Sequence, residues 1–131
     1  MSEYYACYFR YIAGSGSLFS DERDFRVVGR KPTEDEMKVI DLLWDSLEEI
    51  EHEEETVSCR EIWRSGEAYE VEVEKVFLAP VKFWVIEKHS RWQSPQEYSD
   101  VYYRVHESKG PFRDKQEALI TVVREGRRLR R

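Results

Sequence analysis

Apolar and polar positions alternate at the start of the chain. From Tyr4 to Ile12, Tyr5, Cys7, Phe9 and Tyr11 fall on one side of an extended segment, and Tyr4, Ala6, Tyr8 and Arg10 on the other. That is the pattern of a strand rich in β-favouring aromatics. The small and polar residues from Ala13 to Ser17, and then Leu18 to Asp24, break the period. They predict a loop followed by a short strand at Phe25 to Arg30.

The period then changes. Thr33 followed by Glu36 is a capping-box pattern, in which hydroxyl and carboxylate satisfy free amides at a helix start. Met37, Ile40, Trp44 and Leu47, supported by Leu43 and Ile50, make one apolar stripe at helical spacing. This helix should fade in Glu51 to Glu55, where neighbouring carboxylates repel and oppose the helix dipole. Thr56 to Arg64 and Ala68 to Leu78 read as a hairpin turning at Ser65-Gly66-Glu67. Two more strands follow, Lys82 to His89 and Val101 to Glu107, with a polar link at 90–100. Asp114 and Glu117 repeat the capping logic for a last helix with core positions Ala118, Leu119, Val122 and Val123, ended by Gly126. The expected fold is α+β: a mainly antiparallel sheet of about six strands with two amphipathic helices packed on it. The expected domain spans residues 1–126, with a basic tail at 127–131.

Composition narrows the class. A length of 131 residues suits one domain, and 40% hydrophobic residues support a packed core. The N-terminal sequence lacks the basic flank and cleavage site of a secretory signal, and no apolar run is long enough to cross a bilayer. A cytoplasmic, non-membrane protein is expected. Cys7 and Cys59 stand far apart in expected strands, which suggests two buried thiols and neither a zinc set nor a disulfide framework. The absence of asparagine beside 37% charged residues is the bias of heat-adapted proteins, so a thermophilic source is expected.

Charge is segregated. Residues 1–32 carry 4 acids and 5 bases, residues 33–74 carry 16 and 3, and residues 75–131 carry 7 and 13, giving net charges of +1, −13 and +6. A field so divided steers association with oppositely charged partners. The acidic candidates for partner binding are Asp41, Asp45, Glu48, Glu49, Glu51, Glu53, Glu54, Glu55, Glu70, Glu72 and Glu74.

Chemistry is harder to find. The three histidines, His52, His89 and His106, belong to no metal-ligand spacing, and there is no glycine-rich phosphate loop or nucleophile elbow. Pairing the last two strands sets His106 nearer Trp84 than His89. No cofactor is implied and no catalytic residue is assigned.

The expected function is a non-enzymatic protein-binding regulator or inhibitor with an acidic surface and a basic protein partner. Viral modulators of a host RNA polymerase or defence nuclease are examples of that type. Two alternatives stand beside it. One is a nucleic-acid-binding module in which Tyr4, Tyr8, Arg10, Tyr102 and Arg104 form a stacking and phosphate-neutralising platform, helped by Arg127, Arg128, Arg130 and Arg131. The other is a small enzyme with dispersed residues, which needs a pocket placing His89 or His106 beside a carboxylate.

Overall fold

The computed structural model describes residues 5–14, 19–57, 70–93 and 98–128. The chain is mixed α+β, with antiparallel strands in two sheets rather than the one sheet expected. It divides into two compact units, each assembled from separated segments.

The first unit comprises residues 1–16, 51–82 and 108–131. Its strands are β1 (Tyr5–Gly14), β3 (Glu53–Glu55), β4 (Glu70–Ala79) and β7 (Lys109–Phe112), in the order β3-β4-β1-β7. Helix α3 (Lys115–Arg128) packs on this sheet. Its Ala118 and Val122 meet Cys7, Val76 and Leu78, and the half-buried Phe9, Phe112 and Leu119 surround that cluster. The other face is buried as well at this end, where Tyr8 and Phe77 stack with centroids 6.2 Å apart. Burial pushes the Cys7 thiol up to about 11, with Lys109 acting in the opposite direction.

The long β1–β4 pairing contains a bulge. Phe9 is opposite Val76 and Tyr11 opposite Val73, so β4 holds one more residue than β1 between those pairs. The backbone alternation therefore brings positions 71 and 73 into phase with 76 and 78. A regular strand would set those two pairs of positions on opposite faces.

Three expectations for this unit are corrected. Glu53–Glu55 was expected as a fading helix end and is instead a strand, pairing with Leu78 to Val76. Gly110-Pro111-Phe112, which reads as a turn from its glycine and proline, lies within β7, where Gly110 adopts φ 129°, a conformation open to glycine without strain. Helix α3 runs through Gly126 to Arg128 rather than stopping, and Gly126 is buried. The expected turn at 65–67, and Cys59, fall outside the described residues.

The second unit comprises residues 17–50 and 83–107. Here β2 (Phe19–Val28), β5 (Trp84–Gln93) and β6 (Tyr98–Glu107) form a sheet in the order β2-β5-β6. Both pairings run unbroken over ten residues. Strands thus extend through positions 19–24, 90–93 and 98–100, which read as loop in the sequence. Cross-strand pairing decides these segments; their local polarity does not.

A helical layer covers one face of this sheet. It contains α1 (Glu34–Lys38), α2 (Ile40–Leu43) and a 3-10 turn at Trp44–Ser46. The anticipated continuous helix is interrupted at Val39, whose φ of −122° and ψ of 24° leave the helical region. The apolar stripe nevertheless packs as its spacing predicts. Ile40 and Trp44 join Val28 and Ile86 in the core, with Met37, Leu43 and Leu47 around them. Past Leu47 the chain is extended: the Ile50 amide donates to the Val27 carbonyl at 3.0 Å, and Glu49 bridges Val28.

The predicted capping box is present. The Glu36 amide donates to Thr33 Oγ1 at 3.1 Å, and the Thr33 amide donates to Glu36 Oε1 at 3.0 Å. Arg30 adds two parallel bonds to the Glu36 carboxylate, each 2.8 Å.

Two outcomes are expected. Ile86→Ala, which empties a fully buried position, should cost about 2–5 kcal/mol in chemical denaturation. The Arg30 hydrogen bonds, followed by the Thr33 amide, lower the Glu36 carboxyl from 4.5 to about 2. A lowered carboxyl stabilises the fold above its ordinary value, so this contribution is complete above 4.5 and lost as pH falls towards about 2. Stability curves of wild type and Glu36→Gln should diverge above that window and converge at its acid end.

Candidate functional site

The acidic candidates separate between the two units. Asp41, Asp45, Glu48 and Glu49 belong to the second, and Glu51, Glu53, Glu54 and Glu55 to the first. Glu70, Glu72 and Glu74 sit in β4, where only the backbone is described.

Several of these carboxylates are matched by cations. Lys115 bridges Glu53 at 3.1 Å and also Glu55, and those bonds, Glu55 first, raise its own pKa. Lys75 holds Glu54 at 3.1 Å. In the second unit Arg26 holds Glu49 at 3.1 Å, Arg30 holds Glu36, and Lys38 approaches Asp35 at 3.6 Å. Of the described candidates, Glu49, Glu53, Glu54 and Glu55 therefore stand in ion pairs.

Four carboxylates of the helical layer remain. Glu34, Asp41, Asp45 and Glu48 are exposed and make no ion pair among the described residues. Between them stand Leu42, 78% exposed, and Val39, 43% exposed. Both follow from the apolar stripe. Once Met37, Ile40, Leu43 and Trp44 face the sheet, positions 39 and 42 must face away. Charge is felt beneath this surface too: burial and then the Asp41 carboxylate push the Tyr103 phenol up. The Tyr103 ring lies 5.8 Å from Trp44, and Trp44 is flanked by Arg26 at 5.4 Å and Lys88 at 5.7 Å.

Beside this layer lies a cleft of about 580 Å³. Val28, Pro32, Ile40, Leu43, Leu47 and Ile50 line its apolar part, while Glu36, Glu48 and Glu49 bring carboxylates to it. Gly29 borders the same cleft, and a Cβ there would meet Ile50 at 3.0 Å. The volume lies within the range of small-ligand and side-chain pockets, about 300–1,000 Å³.

On the opposite face of the same sheet is a polar network that the sequence did not reveal. Glu87 and His89 are buried at 6% and 4% exposure. His106 Nε2 lies 2.9 Å from Glu87 Oε2. Arg23 Nε donates to His89 Nε2 at 3.4 Å, and Tyr102 Oη meets His89 Nδ1. A neutral imidazole has one donor and one acceptor nitrogen. Because a guanidinium can only donate, Nε2 is the acceptor, Nδ1 carries the proton, and Tyr102 Oη receives it. The strand register places His106 opposite Val85 and His89 opposite Tyr102, so the two histidines stand apart, as the sequence predicts. Neither borders the cleft. A histidine–carboxylate pair thus exists outside the cleft described above.

The residues proposed for nucleic-acid contact divide between the two units. Tyr8 is a buried core residue, unavailable to stack on a base. Arg10 shares its strand in the first unit, whereas Tyr102 and Arg104 belong to β6 in the second. Arg104 is exposed, with its guanidinium 5.2 Å from the Tyr102 ring. Tyr4, Arg130 and Arg131 are outside the described residues, and for Arg127 and Arg128 only the helical backbone is described.

The Arg23–His89–Tyr102 arrangement predicts one tautomer. Long-range nitrogen–proton NMR should find the His89 proton on Nδ1, and a proton on Nε2 would contradict the arrangement. No protein-family model, curated protein or solved structure matches the chain.

Proposed function

We propose that the chain is a protein-binding regulator that docks through the outer surface of its helical layer, and that its partner presents a basic face with an apolar recess. The single observation that carries this reading is the exposed Leu42, accompanied by Val39 and set among four carboxylates that make no ion pair among the described residues. An apolar anchor with a charged rim is the usual anatomy of a protein interface, in which the anchor holds and the rim steers. The carboxylates match the surface of a protein that handles nucleic acid, because such surfaces are built to meet phosphate charge. Inhibition or modulation of such a machine is the regulatory act this surface suits.

The test uses two surface variants of the full chain, Leu42→Ser and the double charge reversal Asp41→Lys with Asp45→Lys. Exposed positions of this kind change stability by about 0.5 kcal/mol or less, so the variants should fold normally. Affinity purification from cell extract should recover a basic protein with wild type, and both variants should bind it about tenfold more weakly or worse. Equal recovery by wild type and both variants would remove this surface from consideration.

A further inference from the structure

The three-stranded sheet of the second unit has two edges, and they differ. At β2 the outer edge is partly closed, since the Ile50 amide bonds Val27 and Glu49 bridges Val28. The rest of β2 carries Asp21-Glu22-Arg23-Asp24, a run of charge of the kind that guards a strand edge. At β6 the edge is open: among the described residues no strand pairs with its outer side. Ten residues there run in register with β5 without a bulge and without a proline. Asp100, Val101, Arg104 and Glu107 are exposed along it. Such an edge offers a row of backbone donors and acceptors to another extended chain.

We propose that the outer edge of β6 pairs antiparallel with the same edge of a second copy of the chain, joining two three-stranded sheets into one. The sequence of β6 is self-complementary about Tyr102. A twofold axis through Tyr102, normal to the sheet, sets Asp100 of each copy opposite Arg104 of the other. It also sets Val101 opposite Tyr103, and Tyr102 opposite its own copy. Two opposite-charge pairs, two apolar–aromatic pairs and one aromatic pair result, each a favourable cross-strand combination. Residues that face each other share a side of the sheet, so both helical layers lie on the same face of the joined sheet and their Leu42 surfaces remain open. A closed twofold pairing also ends the edge in each copy, which stops further addition.

Sedimentation of the full chain over micromolar to millimolar loading is the experiment, and it should show a monomer–dimer equilibrium. Asp100→Arg and Arg104→Asp should each weaken association about tenfold, because each turns two symmetry-related attractions into repulsions. Combining them restores opposite charges and should restore the dimer. Amide hydrogen exchange at positions 100–104 of the unaltered chain should slow as concentration rises, a readout that needs no variant. A monomer at every concentration, a dimer indifferent to either reversal, or a combined variant that stays monomeric would each overturn the pairing.

Discussion

Burial of Ile40 and Trp44 against Val28 and Ile86 is the interaction on which the second unit depends. A three-stranded sheet has an apolar face that must be covered, and the stretch of chain that follows β2 packs on it. Orienting that stretch by the buried Ile40 and Trp44 commits its reverse side to water. Leu42 and Val39 are exposed for that reason: the helical period leaves them no inward position. Interruption of the helix at Val39 does not alter this, since Ile40 and Trp44 still reach the sheet after the break.

Electrostatics refine the same picture. Some carboxylates find cations, as Glu49 does with Arg26 and Glu36 with Arg30. Glu34, Asp41, Asp45 and Glu48 do not, among the described residues. Exposed ion pairs contribute little individually, so the paired acids matter chiefly for arrangement, fixing the start of α1 and the extended segment after Leu47. The unpaired ones contribute field. Leu42 stands within that field.

Much of this was legible in the sequence, and the misses have physical causes. The capping box at Thr33 and the apolar stripe through Trp44 are local signals, and both survive into the structure. Strand existence was legible at β1, β5 and β6, but their ends were not, because polar positions 90–93 and 98–100 are held extended by partners across the sheet. Division into two sheets was invisible, since β1 pairs with β4 and β2 with β5, choices made over long separations. Of the site, the acids could be named but not their cation partners. Leu42 could have been found as the apolar residue lying off the stripe. The Arg23–His89–Tyr102 network could not, because its members come from three strands whose register the sequence does not state.

The first unit is built from the two ends of the chain and a middle segment, with β1 lying between β4 and β7. During synthesis β1 leaves the ribosome well before either neighbour exists. At roughly 5–20 residues per second, the wait for β4 is on the order of several seconds, far longer than a hairpin needs to close. Through that interval an aromatic-rich strand has no native neighbour, so a newborn chain depends on holding factors or on temporary contacts. Premature termination anywhere before β7 leaves one side of β1 without its native neighbour, an unpaired strand edge of the kind that invites association with other chains.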